Sequence, residues 1–188
     1  PTRLSSDLAE RPAGLGAAWF GGTHERHPDV GIWVSRFCGG KWCEAAEAAN
    51  GIVHDTVRYP TWNPVLYQVP GGNLLLFYKV GTSPSTWWGM VKESADNGLT
   101  WSEARRLPEG YIGPVKNKPV LTADNLLICP SSTEGNGWKI HFEYTADFGK
   151  TWHKSAPVES NSIDAIQPSI LTYPDGKLQV LCRSRNRA

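Results

Sequence analysis

A polar stretch near the N-terminus carries several side chains that could act on a sugar or another small substrate. Residues 21–29 read Gly-Gly-Thr-His-Glu-Arg-His-Pro-Asp and lie between two apolar runs, AAWF and VGIWV. A loop joining two such strands would hold His24, Glu25 and Asp29 close together, where they can transfer protons or hydrogen-bond a sugar. Glu25 is the best acid/base candidate of the three, and a solvated loop without function is the alternative.

Two other places in the chain carry residue types that suit a carbohydrate site. Glu134 follows an apolar run, and it could be a second carboxylate beside Glu25 or an ordinary loop acid. Trp87 and Trp88 form an aromatic pair in an apparent loop, and aromatic faces stack on sugar rings. Packing between sheets is the alternative explanation for this pair.

The composition excludes several classes of protein. The 188 residues suffice for one domain with a core and are few for two. A net charge of +1, from 19 basic and 18 acidic residues, argues against a nucleic-acid partner bound through a broad basic face. No apolar run approaches about 20 residues, so we expect no membrane span. The opening residues also lack the apolar core of a signal peptide.

The cysteines and the ionisable clusters give no reason to expect a metal or a cofactor. The four cysteines include no CxxC pair, and no second acidic or His-rich cluster supports the one near the N-terminus. Cys38 and Cys43 could close a small disulfide loop in an oxidising compartment, but we expect unpaired thiols at all four positions.

A hairpin repeat with a period near 50 residues predicts an all-β fold. Three segments each contain a proline, a short apolar run, a turn and a second apolar run, which is the pattern of a β-hairpin. Their prolines are Pro64, Pro119 and Pro168, with spacings of 55 and 49 residues. Short strands at this period are typical of the blades of a β-propeller.

A second motif has the same period and lies between the hairpins. Residues 94–101 and 145–152 share the pattern S/T-x-D-x-G-x-T-W, and residues 35–42 form a weaker copy without the Asp and Thr. Asp96 and Asp147 can accept hydrogen bonds from backbone N–H groups of their own turns. We therefore predict that these carboxylates are structural, with the motif's Trp packed under each turn.

The two complete motifs resemble the Asp-boxes, or BNR repeats, of the sialidase (neuraminidase) superfamily. The resemblance covers about residues 15–188, because both kinds of repeat alternate through that range. The stretches AAWFGGTHER, YPTWNPVLYQVPGG, GPVKNKP and QPSILTYPDGKLQVLCRSR are similar to bacterial sialidase-like BNR proteins. This resemblance implies a six-bladed propeller of four-stranded antiparallel blades, with sugars bound at one end of the central axis.

The chain is short for such a ring, and it supplies three to four blades. We expect a partial blade over 12–48, full blades over 57–107 and 113–158, and a partial blade over 163–188, all in one domain. A lone half-propeller leaves sheet edges and core uncovered. We therefore favour a piece of a longer protein over a homodimer of two chains that closes one ring.

Basic side chains at the starts of the hairpin repeats favour an anionic ligand. Lys116 and Lys118 precede their repeat in the place that Asn63 and Gln167 hold in the other two. Strand alternation would point both lysines the same way, so both enter the site or neither does. Together with Arg183 they would suit a uronic or nonulosonic acid.

The sialidase resemblance also implies specific catalytic residues, and two of their positions can be compared here. Family hydrolases use an arginine triad, a Tyr nucleophile primed by a Glu, and an Asp general acid. Trp62 stands two residues before a proline, where the first arginine is expected. Gln167 replaces the priming Glu, although Arg183 follows at the expected distance. A neutral amide cannot take a proton from a Tyr, so a sialidase mechanism is in doubt.

Two functions of different class therefore remain open. The first is a glycosidase that removes a terminal acidic sugar from a glycan, with Glu25, Asp29 or Glu134 in catalysis and Arg183, Lys116, Lys118, Asn63, Gln167 and His24 in substrate binding. A polysaccharide lyase acting on a uronate, with Lys, His24 or Tyr as base, is a variant of it. The second is a glycan-binding propeller without catalysis. The resemblance favours an exported, periplasmic or extracellular, protein.

Overall fold

The protein is all-β, and its strands form the blades of a partial propeller. The computed structural model describes residues 2–158 and 164–185, with side chains from residue 7 onwards. The described residues contain seventeen strands. No helix that could span a membrane is found among them.

The first sheet begins before the segment in which the sequence predicts a blade. Its strands are β1 (Thr2–Arg11), β2 (Gly14–Gly22), β3 (Gly31–Cys38), β4 (Lys41–Trp42) and β5 (Ala46–Ala49). They run in the order β1-β2-β3-β4, and β5 also pairs with β3. A small hairpin of β6 (Ile52–His54) and β7 (Val57–Arg58) leads to the next sheet.

The second and third sheets each have four antiparallel strands in chain order. The second contains β8 (Thr61–Gln68), β9 (Leu74–Val80), β10 (Trp88–Ser94) and β11 (Arg105–Arg106). The third contains β12 (Val120–Leu121), β13 (Leu127–Thr133), β14 (Lys139–Thr145) and β15 (His153–Lys154). The last sheet has two strands in the described part, β16 (Ala165–Thr172) and β17 (Leu178–Ser184).

The core lies between successive sheets, which explains the apolar runs of the hairpin repeat. Every residue of β9 is buried, because this strand has a neighbouring sheet on both faces. One cluster joins the first two sheets through residues such as Phe20, Ile32, Trp62 and Tyr78. A second cluster, including Phe77, Leu127 and Trp152, joins the second sheet to the third. The sheets formed by residues 2–158 and 164–185 do not close a ring, and Leu178 and Leu181 of the last sheet are exposed.

The antiparallel order places two kinds of loop at opposite ends of the sheets. One end, here called the loop end, carries residues 23–30, 81–87 and 134–138, which join second strands to third strands. The inner strands β8 and β16 start at this end, since Thr61 pairs with Val80 and Ile166 with Arg183. The opposite end, here called the Asp-box end, carries the turns of the S/T-x-D-x-G-x-T-W motif.

The structural role predicted for the two motif aspartates is confirmed. One oxygen of Asp96 accepts hydrogen bonds from the N–H groups of Leu99 and Thr100, at 3.0 and 2.9 Å. Asp147 repeats this pattern with Lys150 and Thr151. Hydrogen bonds donated by Thr100 to Asp96 and by Thr151 to Asp147 are the main reason that the pKa of both carboxyls lies well below the usual range. Both aspartates therefore stay ionised and fasten their turns.

The first sheet closes the equivalent turn by another means. Cys38 and Cys43 form a disulfide, so the expectation of unpaired thiols at these positions was wrong. Pairing of β3 with β4 sets their Cα atoms 5.9 Å apart, a separation that suits a disulfide. The covalent link thus stands where the weak copy of the motif has lost its Asp and Thr. Cys129 and Cys182 are free thiols, as expected.

Candidate active site at the loop end

Three candidate binding residues that share a backbone feature lie at the starts of inner strands or just before them. Asn63, Lys116 and Gln167 all have positive φ angles, of 42, 67 and 55°. Such angles are costly for residues other than glycine, and they concentrate at functional sites. In β8 and β16 the angle coincides with a register shift, between Trp62 and Val65 and between Ile166 and Ser169. A bulge of this kind re-aims side chains out of the strand alternation.

The third repeat differs from the other two by an insertion. Its positive-φ residue, Lys116, lies three positions before the proline rather than directly before it. Residues 116–118 are outside any strand, and β12 begins at Val120. The alternation that would align Lys116 with Lys118 therefore does not apply to this segment.

Lys118 makes an ion pair across the inner strands. Its Nζ lies 2.8 Å from Asp7 Oδ2 and 2.8 Å from the carbonyl oxygen of Leu66, so it donates to both. The same Asp7 oxygen accepts from the N–H of Leu66 at 2.7 Å. Asp7 thus links the first three sheets and balances the charge of Lys118. Sequence reasoning missed Asp7, which is 111 residues away from Lys118.

Asn117 ties the third inner strand to the bulge of the fourth. Its Nδ2 donates to the carbonyl oxygens of Gln167 and Pro168, at 2.8 and 3.0 Å. The N–H of Gln167 donates to Ser132 Oγ at 3.2 Å. These bonds fix the backbone on which the Lys116 and Gln167 side chains are mounted.

Arg183, like Lys116, is a candidate cation without an acidic partner among the described residues. It lies near the end of β17, opposite Ile166, and its Cζ is 5.3 Å from the centre of the Trp138 ring. Arg185 approaches the same ring, at 5.6 Å, but it also lies 3.9 Å from Asp164. An exposed guanidinium held against an aromatic face remains able to bind a carboxylate.

The loop of residues 23–30 is stabilised chiefly by hydrogen bonds within itself. Asp29 accepts from the N–H and hydroxyl of Thr23, and its Oδ1 lies 2.7 Å from His27 Nδ1. The Thr23 hydrogen bonds, chiefly, lower the pKa of Asp29 to about 2. His24 Nδ1 contacts the backbone oxygen of Glu25 at 2.8 Å. Among the described residues, the Glu25 carboxylate has no hydrogen-bond or ion-pair partner.

Trp62 cannot replace the arginine that a sialidase would have at its position. The side chain is 3% exposed, and its Nε1 donates to the carbonyl oxygen of Gly81 at 2.8 Å. It packs between Phe20 and Trp87, with ring centres 6.2 and 5.9 Å away. Trp88 is likewise packed, edge-on against Tyr59 and under Arg106. Packing within the protein therefore accounts for Trp88 and for one side of the Trp87 ring, which contacts Trp62.

Buried polar groups hold the segment that leads to Lys116. Glu143 accepts hydrogen bonds from the N–H groups of Ile112 and Gly113, and Lys79 donates to the carbonyl oxygen of Pro114 at 2.7 Å. Both side chains are fully buried. Burial lowers the pKa of Lys79 to about 8, although the nearby Glu143 charge opposes this shift. Neither residue was predicted from the sequence.

Glu134 lies in a groove between the second and third sheets at the loop end. The groove has a volume of about 300 Å³ and is lined by residues that include Trp87 and Ile112. No contact among the described residues joins Glu134 to Glu25 or Asp29. The described residues also contain no group of three or more His, Cys, Asp or Glu side chains placed to hold a metal ion.

Comparison with known proteins gives the family. The sequence matches the family described as "BNR repeat-like domain" over residues 14–188. The chain belongs to this family. A search among curated proteins gives no significant match.

Solved structures of glycoside hydrolases share the fold of this BNR repeat chain. The Hadza microbial sialidase Hz136 superposes with a TM-score of 0.78 at 17% identity, over 96% of this chain and 42% of its own. A Trypanosoma rangeli sialidase superposes with a TM-score of 0.73 at 17% sequence identity, over 97% of this chain and 34% of its own. A Penicillium chrysogenum alpha-L-arabinanase superposes with a TM-score of 0.65 at 23% sequence identity, over 97% of this chain and 57% of its own. The chain therefore spans about two fifths of the first of these proteins, and the likeness establishes the fold.

Proposed function

We propose that the protein binds a terminal acidic sugar of a glycan at the loop end and hydrolyses its glycosidic bond. The observation that carries this proposal is the positive φ angle shared by Asn63, Lys116 and Gln167, which lie at the starts of successive inner strands or just before them. Strained residues repeated at one end of three sheets indicate a ligand site there. Folds shared with two sialidases and an arabinanase support the carbohydrate as ligand.

The cations give the site its preference for an acid. Arg183 binds the substrate carboxylate through its planar guanidinium, and Lys116 adds a second positive charge at the same end. Lys118 is held by Asp7 and acts as a neutralised hydrogen-bond donor rather than a free cation. Asn63, Gln167 and His24 supply hydrogen bonds to hydroxyl groups of the sugar.

Glu134 and Glu25 supply the carboxyl groups that hydrolysis requires. The half-buried Glu134 protonates the leaving oxygen, and Glu25, on the 23–30 loop of the first sheet, acts as the base or nucleophile. Asp29 is ionised at neutral pH, because its pKa is about 2, and so it cannot donate the proton. It contributes instead by ordering the loop that carries Glu25.

A glycan-binding propeller without turnover is the second candidate function. The buried Trp62 and the amide of Gln167 favour it, since neither can perform the step that a sialidase assigns to its position. A lyase would need a base positioned beside a uronate, and Lys116 or His24 would have to fill that role.

The test measures binding and turnover separately in the full-length protein. Sialosides, uronosides and neutral glycosides are assayed for product release, and their free acidic and neutral sugars are titrated by calorimetry. We expect Arg183→Ala to weaken acidic sugars at least about tenfold and neutral sugars little, and Glu134→Gln or Glu25→Gln to remove turnover while sparing binding. Arg185→Ala is the matched control, because Arg185 contacts the same Trp138 ring.

The outcomes separate the two candidate functions. Binding of an acidic sugar without release of any product would leave the glycan-binding function and exclude the hydrolase. Equal losses for acidic and neutral sugars in Arg183→Ala would overturn the anion site itself.

A further inference from the structure

An open groove, here called the outer groove, lies between the outer strands of the first two sheets. Its volume of about 580 Å³ is within the range of small-molecule sites. One wall is formed by β5 and the residues that follow it up to Val53, and the other by β10 and residues 103–106. Glu25, Lys116, Glu134 and Arg183 do not line the outer groove, so it is separate from the candidate active site.

The outer groove contains a buried hydroxyl group without a partner. Tyr78 of β9 lines the groove with a side chain that is 1% exposed, and burial raises the pKa of its hydroxyl, which stays protonated at neutral pH. Among the described residues this hydroxyl makes no hydrogen bond. It is not sealed off, because the enclosed unpartnered polar atoms of these residues belong to Arg11, Arg58 and Gln68. Since a buried tyrosine ordinarily has a hydrogen-bond partner, this hydroxyl is available to a ligand.

Further hydrogen-bond donors without a partner line the same groove. The indole N–H of Trp88 makes no hydrogen bond within the described part of the chain. Asn50 accepts from the N–H of Ile52 through Oδ1, at 3.2 Å, which leaves its amide N–H groups free. Together with the Tyr78 hydroxyl, these groups favour a ligand that accepts hydrogen bonds.

Most charges at the outer groove are balanced within the protein. Glu47 lies 3.4 Å from Arg58. Lys92 joins the two walls by donating to the carbonyl oxygen of Ala48 at 2.8 Å. Burial lowers the pKa of Lys92, and the charge of the nearby Glu103 opposes this shift. The two acids of the groove therefore each have a basic neighbour.

Arg106 is a cation of the outer groove without an acidic partner among the described residues. Its guanidinium is exposed and lies 4.9 Å from the centre of the Trp88 ring, which holds it in place. Arg106 pairs with Met90, and Met90 pairs with Tyr78, so all three side chains lie in one row on the same face of the second sheet. A planar guanidinium in line with a neutral hydroxyl donor suits a carboxylate.

Apolar side chains line the outer groove beside this row. Ile52 and Val53 are 58% and 51% exposed on the small hairpin that follows the first sheet. Met90 belongs to the other wall and is half-buried. Exposed aliphatic side chains and an adaptable thioether favour a ligand with an apolar body, because binding removes apolar surface from water on both sides.

We propose that the outer groove binds a small organic acid with an apolar body. The carboxylate lies between the guanidinium of Arg106 and the hydroxyl of Tyr78, and the apolar body lies against Ile52, Val53 and Met90. This site goes beyond the proposed function and does not rest on it, because its ligand needs no glycosidic bond and contacts no residue of the loop-end site.

The experiment compares three probes that share an apolar body and differ in their head group. Phenylacetate, phenethyl alcohol and phenethylamine are titrated separately into the full-length protein at neutral pH, and ligand-observed NMR measures each dissociation constant. We expect phenylacetate to bind at least about tenfold more tightly than the alcohol, and the amine not to bind.

Four variants locate the bound acid. Arg106→Gln should lower the affinity for phenylacetate at least about tenfold and that for the alcohol little. Tyr78→Phe removes only the unpartnered hydroxyl and should lower the phenylacetate affinity about threefold. Arg105→Gln is the matched control, because Arg105 is the neighbouring residue of β11 and does not line the groove. Arg183→Ala removes a cation of the loop end and should leave the phenylacetate affinity unchanged.

The results that overturn the proposal are distinct from those that test the loop-end site. Phenylacetate that does not bind, binds no better than the alcohol, or loses equal affinity in Arg106→Gln and Arg105→Gln overturns the outer-groove site. A loss in Arg183→Ala without a loss in Arg106→Gln also overturns it, because the acid then binds at the loop end. If Tyr78→Phe does not fold, the comparison of Arg106→Gln with Arg105→Gln decides.

Discussion

The interface between the first and second sheets and the interface between the second and third sheets contain different kinds of contact. The interface of the first and second sheets has an apolar core that contains Phe20, Trp62 and Tyr78, and its charged groups include Arg11 at the Asp-box end and Asp7, which accepts from the Leu66 N–H. The interface of the second and third sheets has an apolar core as well, but it also buries Lys79 and Glu143 under the loop end.

The difference has a consequence for the candidate site. Apolar contacts are not directional, and the hydrogen bonds that cross the first interface, such as those from Arg11 to the Asn97 oxygen and from the Leu66 N–H to Asp7, do not come from fully buried charged side chains. Lys79 and Glu143 instead bind named backbone groups of residues 112–114, and Ser131 Oγ donates to the Gly113 oxygen at 3.0 Å. The segment with Lys116, Asn117 and Lys118 follows directly. The polar interface thus positions one wall of the groove and the start of an inner strand.

The largest effect is expected from breaking the polar interface. Glu143→Gln leaves Lys79 without its compensating charge and two backbone N–H groups with a weaker acceptor. We expect the free energy of unfolding to fall by about 4 kcal/mol. Trp62→Phe in the apolar interface loses one hydrogen bond and a little contact area, at a cost of about 1 kcal/mol. Urea denaturation measures both.

A double variant tests whether the loss of stability comes from a buried charge that has lost its partner or from lost packing contacts. The double variant Lys79→Met/Glu143→Leu removes both charges together and should recover part of the loss, because no buried lysine charge is left alone. Recovery stays incomplete, because His141, 3.0 Å from Glu143 Oε1, and the N–H groups of Ile112 and Gly113 still lose their acceptor. Equal losses for Glu143→Gln and Trp62→Phe, with no recovery in the double variant, would show that the two interfaces do not differ in kind.

The second largest expected effect is a dependence of stability on pH in the alkaline range, and it comes from Lys79 in the polar interface. The folded protein releases the Lys79 proton near pH 8, whereas the unfolded chain holds it to about 10.5. The unfolded state therefore binds more protons in this window, and the free energy of unfolding rises with pH. Relative to Lys79→Met, wild type should gain about 3 kcal/mol between pH 7.5 and 10.5. Denaturation of both proteins at pH 7.5 and 10.5 measures the difference between their free energies of unfolding. A difference that does not change with pH would contradict the prediction.

The fold was predictable because its signals are local. Each hairpin has its turn and its apolar runs within about 20 residues, and each Asp-box keeps its hydrogen bonds within a few positions, as Asp96 does with Thr100. The exception is the first copy of the motif, where the short distance between Cys38 and Cys43 in the sequence was compatible with both a disulfide and free thiols.

The site was predictable only in part, because half of it depends on distant contacts. Asn63, Lys116 and Gln167 were predicted as binding residues from their places before inner strands, and this role stays a prediction, although neither the bulges nor the positive φ angles of these residues have a signal in the sequence. Glu143 looks like an ordinary strand residue until the backbone N–H of Gly113, 30 positions away, is seen to bind it. The role of Asp7 is likewise visible only in the structure, where its carboxylate lies beside Lys118.

The smallest effect concerns the reactivity of the two free cysteines, and it reports directly on the polar interface. Cys129 is fully buried, and burial first, with the Glu143 charge second, raises the pKa of its thiol. Cys182 is exposed on the last sheet. Iodoacetamide at neutral pH should therefore label Cys182 and leave Cys129 unlabelled, which peptide mass spectrometry can quantify. Because opening of the interface exposes Cys129, Glu143→Gln should raise its labelling rate, whereas Trp62→Phe should change it much less. Rapid labelling of Cys129 in the wild type would mean that the buried charges do not keep this interface closed.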